Sequence, residues 1–116
     1  MSRGQQTQQR EGNNMKKYML SIGLNDKDSK RQEVGTLDAY KIVMNIFAAT
    51  TGGATVHEGM GCYTHDNGDV VIEKSLIAYV YTDDDAAIRD AVMQIKTALN
   101  QEAIAVESME TNSMFI

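Results

Sequence analysis

The chain has no proline and no tryptophan, and its 116 residues include a single cysteine, Cys62. One thiol excludes a disulfide within the chain and a cysteine-based zinc site. Without proline, every change of direction falls to Gly, Asn and Asp, the residue types that tolerate turn conformations. No apolar run approaches the roughly 20 residues that cross a bilayer, and the first residues lack the apolar centre of a signal peptide. Basic residues are outnumbered, with 11 Lys and Arg against 16 Asp and Glu and a formal charge of −5. Holding nucleic acid by its phosphates requires clustered cations that displace counterions, so neither nucleic acid nor membrane is an expected partner. These absences together predict a cytoplasmic protein.

What is present suffices for one domain with a thin core. Residues 1–14, MSRGQQTQQREGNN, hold almost nothing to bury against the entropy of ordering them, and they read as a disordered polar tail. Met15 is then a plausible alternative start. The folded domain is expected over residues 15–108, with 109–116 as a C-terminal tail.

Within the domain the periodicity changes five times. Tyr18, Leu20, Ile22 and Leu24 alternate as a half-buried strand does. Thr36 suits a helix N-cap, and Tyr40, Val43, Met44 and Phe47 follow at helical spacing up to a stop at Gly52-Gly53. Ala54 to Thr64 reads as a strand, and Asn67-Gly68 as the two-residue type I′ turn of a hairpin. That turn would pair residue 58 with 77 and residue 62 with 73. Val70 to Tyr81 is the longest strand. Thr82 to Asp85 reads as a capping box, opening a helix whose stripe is Ile88, Ala91, Val92, Ile95, Ala98 and Leu99. Asn100 stops it, and Ala103 to Val106 forms a last strand. The order βαββαβ predicts an α+β, ferredoxin-like sandwich: a four-stranded antiparallel sheet with two helices on one face.

Several segments carry a resemblance. Tyr18-x-Leu20-x-Ile22-Gly23-Leu24, Gly53-Ala54-Thr55-Val56, Gly61-x-Tyr63, Gly68-x-Val70-x-x-Glu73-x-Ser75 and Gln101-Glu102-Ala103-Ile104 resemble a family of small uncharacterised bacterial and phage proteins. More distantly, Ala54 to Glu58 with Gly61, and Tyr79 to Asp84, look like the trimeric PII and CutA proteins. The first resemblance implies a fold without a chemistry. The second implies a trimer, but the long nucleotide-binding loop of PII proteins is replaced here by the tight turn at Asn67-Gly68.

Candidate chemistry is sparse. Asp26-x-Asp28 begins like a calcium loop, but Arg31 stands where the sharp turn needs Gly, and Leu37 where a bidentate Glu belongs. Asp26, Asp28, Lys30 and Arg31 are instead expected to form a solvated, mobile loop able to meet a ligand or partner. His57 and His65 lie about 26 Å apart along a strand, too far to share one ion. No Ser or Cys stands beside a His and an orienting carboxylate. His57, Tyr63 and Glu73 remain as acid–base or binding candidates, and no metal or cofactor is expected.

The strand 70–81 is apolar on both faces, whereas helices on one side of the sheet cover only one. The uncovered face predicts self-association as a dimer or trimer. Leu76, Ala78, Val80 and Phe115 are the expected interface residues. The resulting reading is a non-enzymatic, homo-oligomeric binding or regulatory protein, encoded by a phage or mobile element, that binds a host protein or small ligand. The alternative is a cofactor-independent enzyme of the ferredoxin-like dimeric-barrel kind, acting on a small organic substrate.

Overall fold

In β1 (Lys16–Gly23), the alternation predicted from sequence buries Tyr18, Leu20 and Ile22 on one side. The computed structural model describes residues 15–116, so the expected tail at residues 1–14 lies outside the described residues. After β1 come α1 (Thr36–Thr50), β2 (Thr55–Thr64), β3 (Val70–Thr82), α2 (Asp85–Ala98) and β4 (Ala105–Glu110). The strands form one antiparallel sheet in the order β2-β3-β1-β4. Both helices lie on one face, which is the ferredoxin-like sandwich. Among the described residues, no helix is long and apolar enough to cross a membrane.

The core fills the space between sheet and helices. Leu20, Ile22, Leu76, Ala78 and Val80 rise from the sheet to meet Ala39, Val43 and Phe47 of α1 and Ile88, Ala91 and Ile95 of α2. Large side chains so enclosed stabilise the fold by about 1.5–3 kcal/mol each. This overturns the assignment of Leu76, Ala78 and Val80 to an intersubunit face: they are 0%, 0% and 2% exposed beneath the chain's own helices. The uncovered set is the opposite one, Ile77, Tyr79 and Tyr81, together with Lys17, Met19 and His57 from the flanking strands.

Local signals were displaced by one or two residues. Gly35, not Thr36, is the cap of α1, and the Thr36 hydroxyl accepts from Gln32 Nε2 at 3.0 Å. At α2 the cap is Asp84, whose carboxylate accepts from the Ala87 amide at 3.0 Å, while Thr82 Oγ1 accepts from the Asp84 amide at 3.1 Å. Met44 of the predicted α1 stripe is largely exposed. The last strand begins at Ala105 rather than Ala103 and extends to Glu110, into the expected tail.

The hairpin differs by one residue, with consequences for every side chain on β2. His65 and Asp69 close it through a 2.8 Å bond from the His65 amide to the Asp69 carbonyl. Three residues form the loop, and only Gly68, with φ +92°, is left-handed. This is the geometry of a turn followed by a glycine bulge rather than the two-residue type I′ turn. Glu58 therefore pairs with Leu76 and Cys62 with Ile72, while Glu73 faces Gly61. A one-residue slip exchanges the faces of a strand, so Glu58 and Glu73 lie on opposite sides of the sheet.

β1 ends opposite Ser75, and beyond it β2 and β3 continue as a two-stranded arm. Met60, Val70 and Ile72 on this arm are each about two-thirds exposed, at 67%, 66% and 67%. An isolated two-stranded ribbon is marginal in water.

Candidate functional site

Where the arm leaves the body of the sheet, β1 ends in Gly23, and the chain turns into the loop that leads to α1. A side chain at Gly23 would collide with Glu73, since a Cβ there would sit 2.8 Å from its Oε1. The missing side chain lets the Glu73 carboxylate lie across the end of β1, where Oε2 accepts the Asn25 amide at 2.9 Å. Oε1 has no hydrogen-bond partner among the described residues.

Around this carboxylate is a cleft of about 150 Å³, lined by Asn25, Asp26, Lys27, Lys30, Tyr63, Glu73, Gln101, Glu102 and Ala103. Four of the residues singled out from sequence, Asp26, Lys30, Tyr63 and Glu73, meet here, although the sequence separates them widely. The others do not. Asp28 lies just outside, accepting from Asn100 Nδ2 at 2.9 Å. Arg31 turns to Glu33, with Nε 3.1 Å from Oε2. His57 sits on the open face of the sheet, stacked on Tyr79 with ring centres 5.6 Å apart. Phe115 is exposed and lines a separate groove beside Gly52, Gly53 and Tyr81.

Sequence reasoning missed the residues that hold the cleft together. Buried Gln101 donates to the Asn25 carbonyl at 2.8 Å and to the Leu99 carbonyl at 3.2 Å, joining the end of α2 to the exit of β1. Asn100, left-handed at φ 49°, donates to both Asp26 and Asp28. Their position directly after the helix stop was the available signal, because a helix end leaves carbonyls and side chains free for such bridges.

The loop expected to be mobile is instead laced to the domain. Asp26 Oδ2 accepts the amides of Asp28 and Ser29 at 2.9 and 3.0 Å, and Oδ1 accepts from Asn100. The Ser29 amide first, then Asn100 and the Asp28 amide, hold the Asp26 carboxyl below the ordinary value of 3.8. The Ser29 hydroxyl and then Arg31 do the same for Glu33. A carboxyl depressed in the folded state adds stability above its unfolded value, and that contribution is lost as pH falls through the folded value. The amide resonances of Asp28 and Ser29 are therefore expected to move together, with a midpoint below pH 3.8. A midpoint at or above that value in an NMR titration would show that the lacing does not form.

The arrangement offers a carboxylate with a free oxygen, a phenol, a lysine and further acids in one cleft. Beside the body, the open sheet face adds a stacked platform, with Lys17 Nζ 4.9 Å above the Tyr79 ring. Such groups can hold a cationic or amino-acid-like molecule, stack a flat ring, and take or give a proton.

No protein-family model matches the chain, and neither does any curated protein sequence. Membership of the uncharacterised family and kinship with the PII and CutA proteins thus receive no support. Among solved structures, the chain is similar to a phage SAM lyase in complex with S-methyl-5′-thioadenosine. The identity is 20% and the TM-score 0.67, with 91% of this chain and 88% of that one covered. A phage SAM lyase in the apo state matches at 18% identity and a TM-score of 0.60, covering 95% and 90% of the two chains. This likeness corrects the expectation of a non-enzymatic binding or regulatory protein. The fold is shared with an enzyme whose solved complex contains a small organic molecule. The chain is a small ferredoxin-like protein whose fold is similar to that of a phage SAM lyase.

Proposed function

We propose that the chain is a cofactor-independent lyase that cleaves S-adenosylmethionine, or a close sulfonium relative, at the cleft around Glu73. The observation that carries this reading is the convergence of Glu73, Tyr63, Lys30 and Asp26 at one cleft on this fold. S-Methyl-5′-thioadenosine, present in the related complex, retains the methyl and adenosyl groups of S-adenosylmethionine. The bond that breaks to form it therefore joins sulfur to the aminobutyrate chain, and its electron pair goes to sulfur, which becomes a neutral thioether.

The four-carbon fragment then follows one of two courses. It loses the adjacent proton to a base and becomes an alkene, or its own carboxylate closes on the carbon that sulfur leaves and forms a lactone. Glu73, with its unpartnered oxygen, is the base of the first course. In the second it orients the substrate ammonium, and rate comes from holding the carboxylate in line with the breaking bond.

A cleft of about 150 Å³ is smaller than the 300–1,000 Å³ usual for ligands of this size. The proposal therefore includes a dimer or trimer in which a second copy covers the open sheet face and completes the walls. The exposed apolar residues of the arm are available for the same contact. A cytoplasmic setting agrees with the lone thiol and with a sulfonium metabolite as substrate.

Incubation of the purified protein with S-adenosylmethionine, followed by chromatography and mass spectrometry, tests the reading. Protein-dependent formation of S-methyl-5′-thioadenosine above the spontaneous background is expected. Lactone and alkene are isomers of equal mass, so the co-product is assigned by its retention against standards and by the presence or absence of vinyl proton resonances in NMR. No increase over background at substrate saturation would sink the proposal.

A further inference from the structure

The loop between β1 and α1 holds a lysine in a conformation that lysine rarely adopts, and that residue lines the cleft at Glu73. Lys27, Asp28 and Ser29 make a single turn, closed where the Lys30 amide donates to the Asp26 carbonyl at 2.9 Å. Lys30 then leaves the turn in the left-handed region, at φ 67°. Gly is the usual residue for this way of ending a turn, because a Cβ crowds the backbone there. Apart from glycines, only Asn100 shares the positive φ among the described residues, and its short polar side chain suits that region. Lysine has no such local compensation.

The backbone around Lys30 is held from several sides. The Asp26 amide donates to the Arg31 carbonyl at 2.8 Å, and the Lys27 amide to the Asn100 carbonyl at 3.0 Å. Strain persists only where its surroundings enforce it, and it gathers at ligand-binding positions. The fold gains no internal contact from the lysine in return. Among the described residues its ammonium forms no ion pair, although Asp26, Glu73 and Glu102 line the same cleft. Both Asp26 oxygens are occupied by the turn amides and by Asn100, whereas Glu73 Oε1 is free. The cleft thus presents an uncommitted ammonium at Lys30 and an uncommitted carboxylate oxygen at Glu73. Lys27 lines it too, but on an ordinary backbone.

We propose that Lys30 is the residue that selects substrates carrying a free α-carboxylate. Its ammonium donates to that carboxylate while Glu73 Oε1 accepts from the neighbouring α-ammonium, so the cleft holds the amino-acid head of the substrate. The volume of about 150 Å³ suits such a head and leaves the nucleoside outside, against the rest of the sheet. This inference rests on the reading of the cleft as the substrate site, but it concerns binding and holds for either course of the cleavage.

S-Adenosylhomocysteine is the probe, a thioether that keeps the amino-acid head and lacks the sulfonium leaving group. It is titrated into the full-length protein by calorimetry beside its decarboxylated form. Lys30→Gly and Lys30→Asn both accept the left-handed backbone without the charge, and each should weaken S-adenosylhomocysteine binding by about tenfold, the scale of one charge-assisted hydrogen bond. Neither should weaken binding of the decarboxylated form, which has nothing for Lys30 to hold. Lys30→Gly should not lower the melting temperature of the ligand-free protein, since it relieves the strain. Unchanged affinity in both variants, an equal loss for the decarboxylated form, a loss in Lys30→Gly alone, or no saturable binding by the parent would each overturn the inference. The lyase assay separates the two readings. Activity in a parent whose probe binding ignores Lys30 overturns this inference alone, and Lys30-dependent binding in a parent without activity overturns the lyase reading alone.

Discussion

Glu73→Gln is expected to lower the rate of S-methyl-5′-thioadenosine formation by about 10²–10⁴-fold, the usual contribution of a positioned acid–base group. Glutamine keeps an oxygen for the Asn25 amide, so the hydrogen bond at the end of β1 survives while the charge and the proton acceptor are lost. The melting temperature should therefore be nearly unchanged, which separates a chemical role from a structural one. The effect should fall on kcat if Glu73 takes a proton, and mainly on KM if it only holds the substrate ammonium. A Glu73→Gln variant as active as the parent would remove Glu73 from the mechanism, even if lyase activity itself is present.

Leu76→Glu and Ile77→Glu differ by one position, and opposite outcomes are expected. Leu76 is 0% exposed beneath α1 and α2, so the substitution forces a carboxylate among apolar side chains. A loss of about 3–5 kcal/mol or more is expected, against a total stability of about 5–15 kcal/mol for a domain of this kind. Circular dichroism under urea should find the variant largely unfolded. Ile77 faces the other way, among Tyr79, Tyr81 and His57. Ile77→Glu should leave the folded domain intact and, if a second copy covers that face, reduce the mass in light scattering to that of a monomer. A parent protein that is already a folded monomer, or an Ile77→Glu variant of unchanged mass, would defeat the covered-face proposal.

The same two positions separate what is legible in the sequence from what is not. Strand β3 is apolar on both sides, and composition alone does not say which side the helices choose. The choice depends on packing: Leu20, Ile22, Leu76, Ala78 and Val80 form one continuous layer on β1 and β3. The element order was legible because the helical stripes end at recognisable stops and the strands alternate. The hairpin register was not, because Asn67-Gly68 suits two loops whose lengths differ by one residue. Only the cross-strand bonds at His65 and Asp69 settle it.

Individual members of the candidate site were legible, but their meeting was not. Asp26 and Lys30 come from the loop after β1, Tyr63 and Glu73 from the arm, and Gln101 from the end of α2. No periodicity links residues so far apart in the chain. Gly23 was visible as part of a motif, but its role appears only when the Glu73 carboxylate is found lying against it.

The sheet order also bears on how the chain is made. β1 lies between β3 and β4, and its outer partner comes from the far end of the described chain, with Lys16 opposite Glu110. During synthesis β1 emerges first, and one of its edges can be matched as soon as β3 has left the ribosome. The other stays bare until β4 has emerged as well. Unpaired edges invite association with other chains, and closing so long a loop is the slowest contact to form. The nascent chain thus waits on β4, and a ribosome that stops just short of Ala105 would release the helices and the hairpin together with an open central strand.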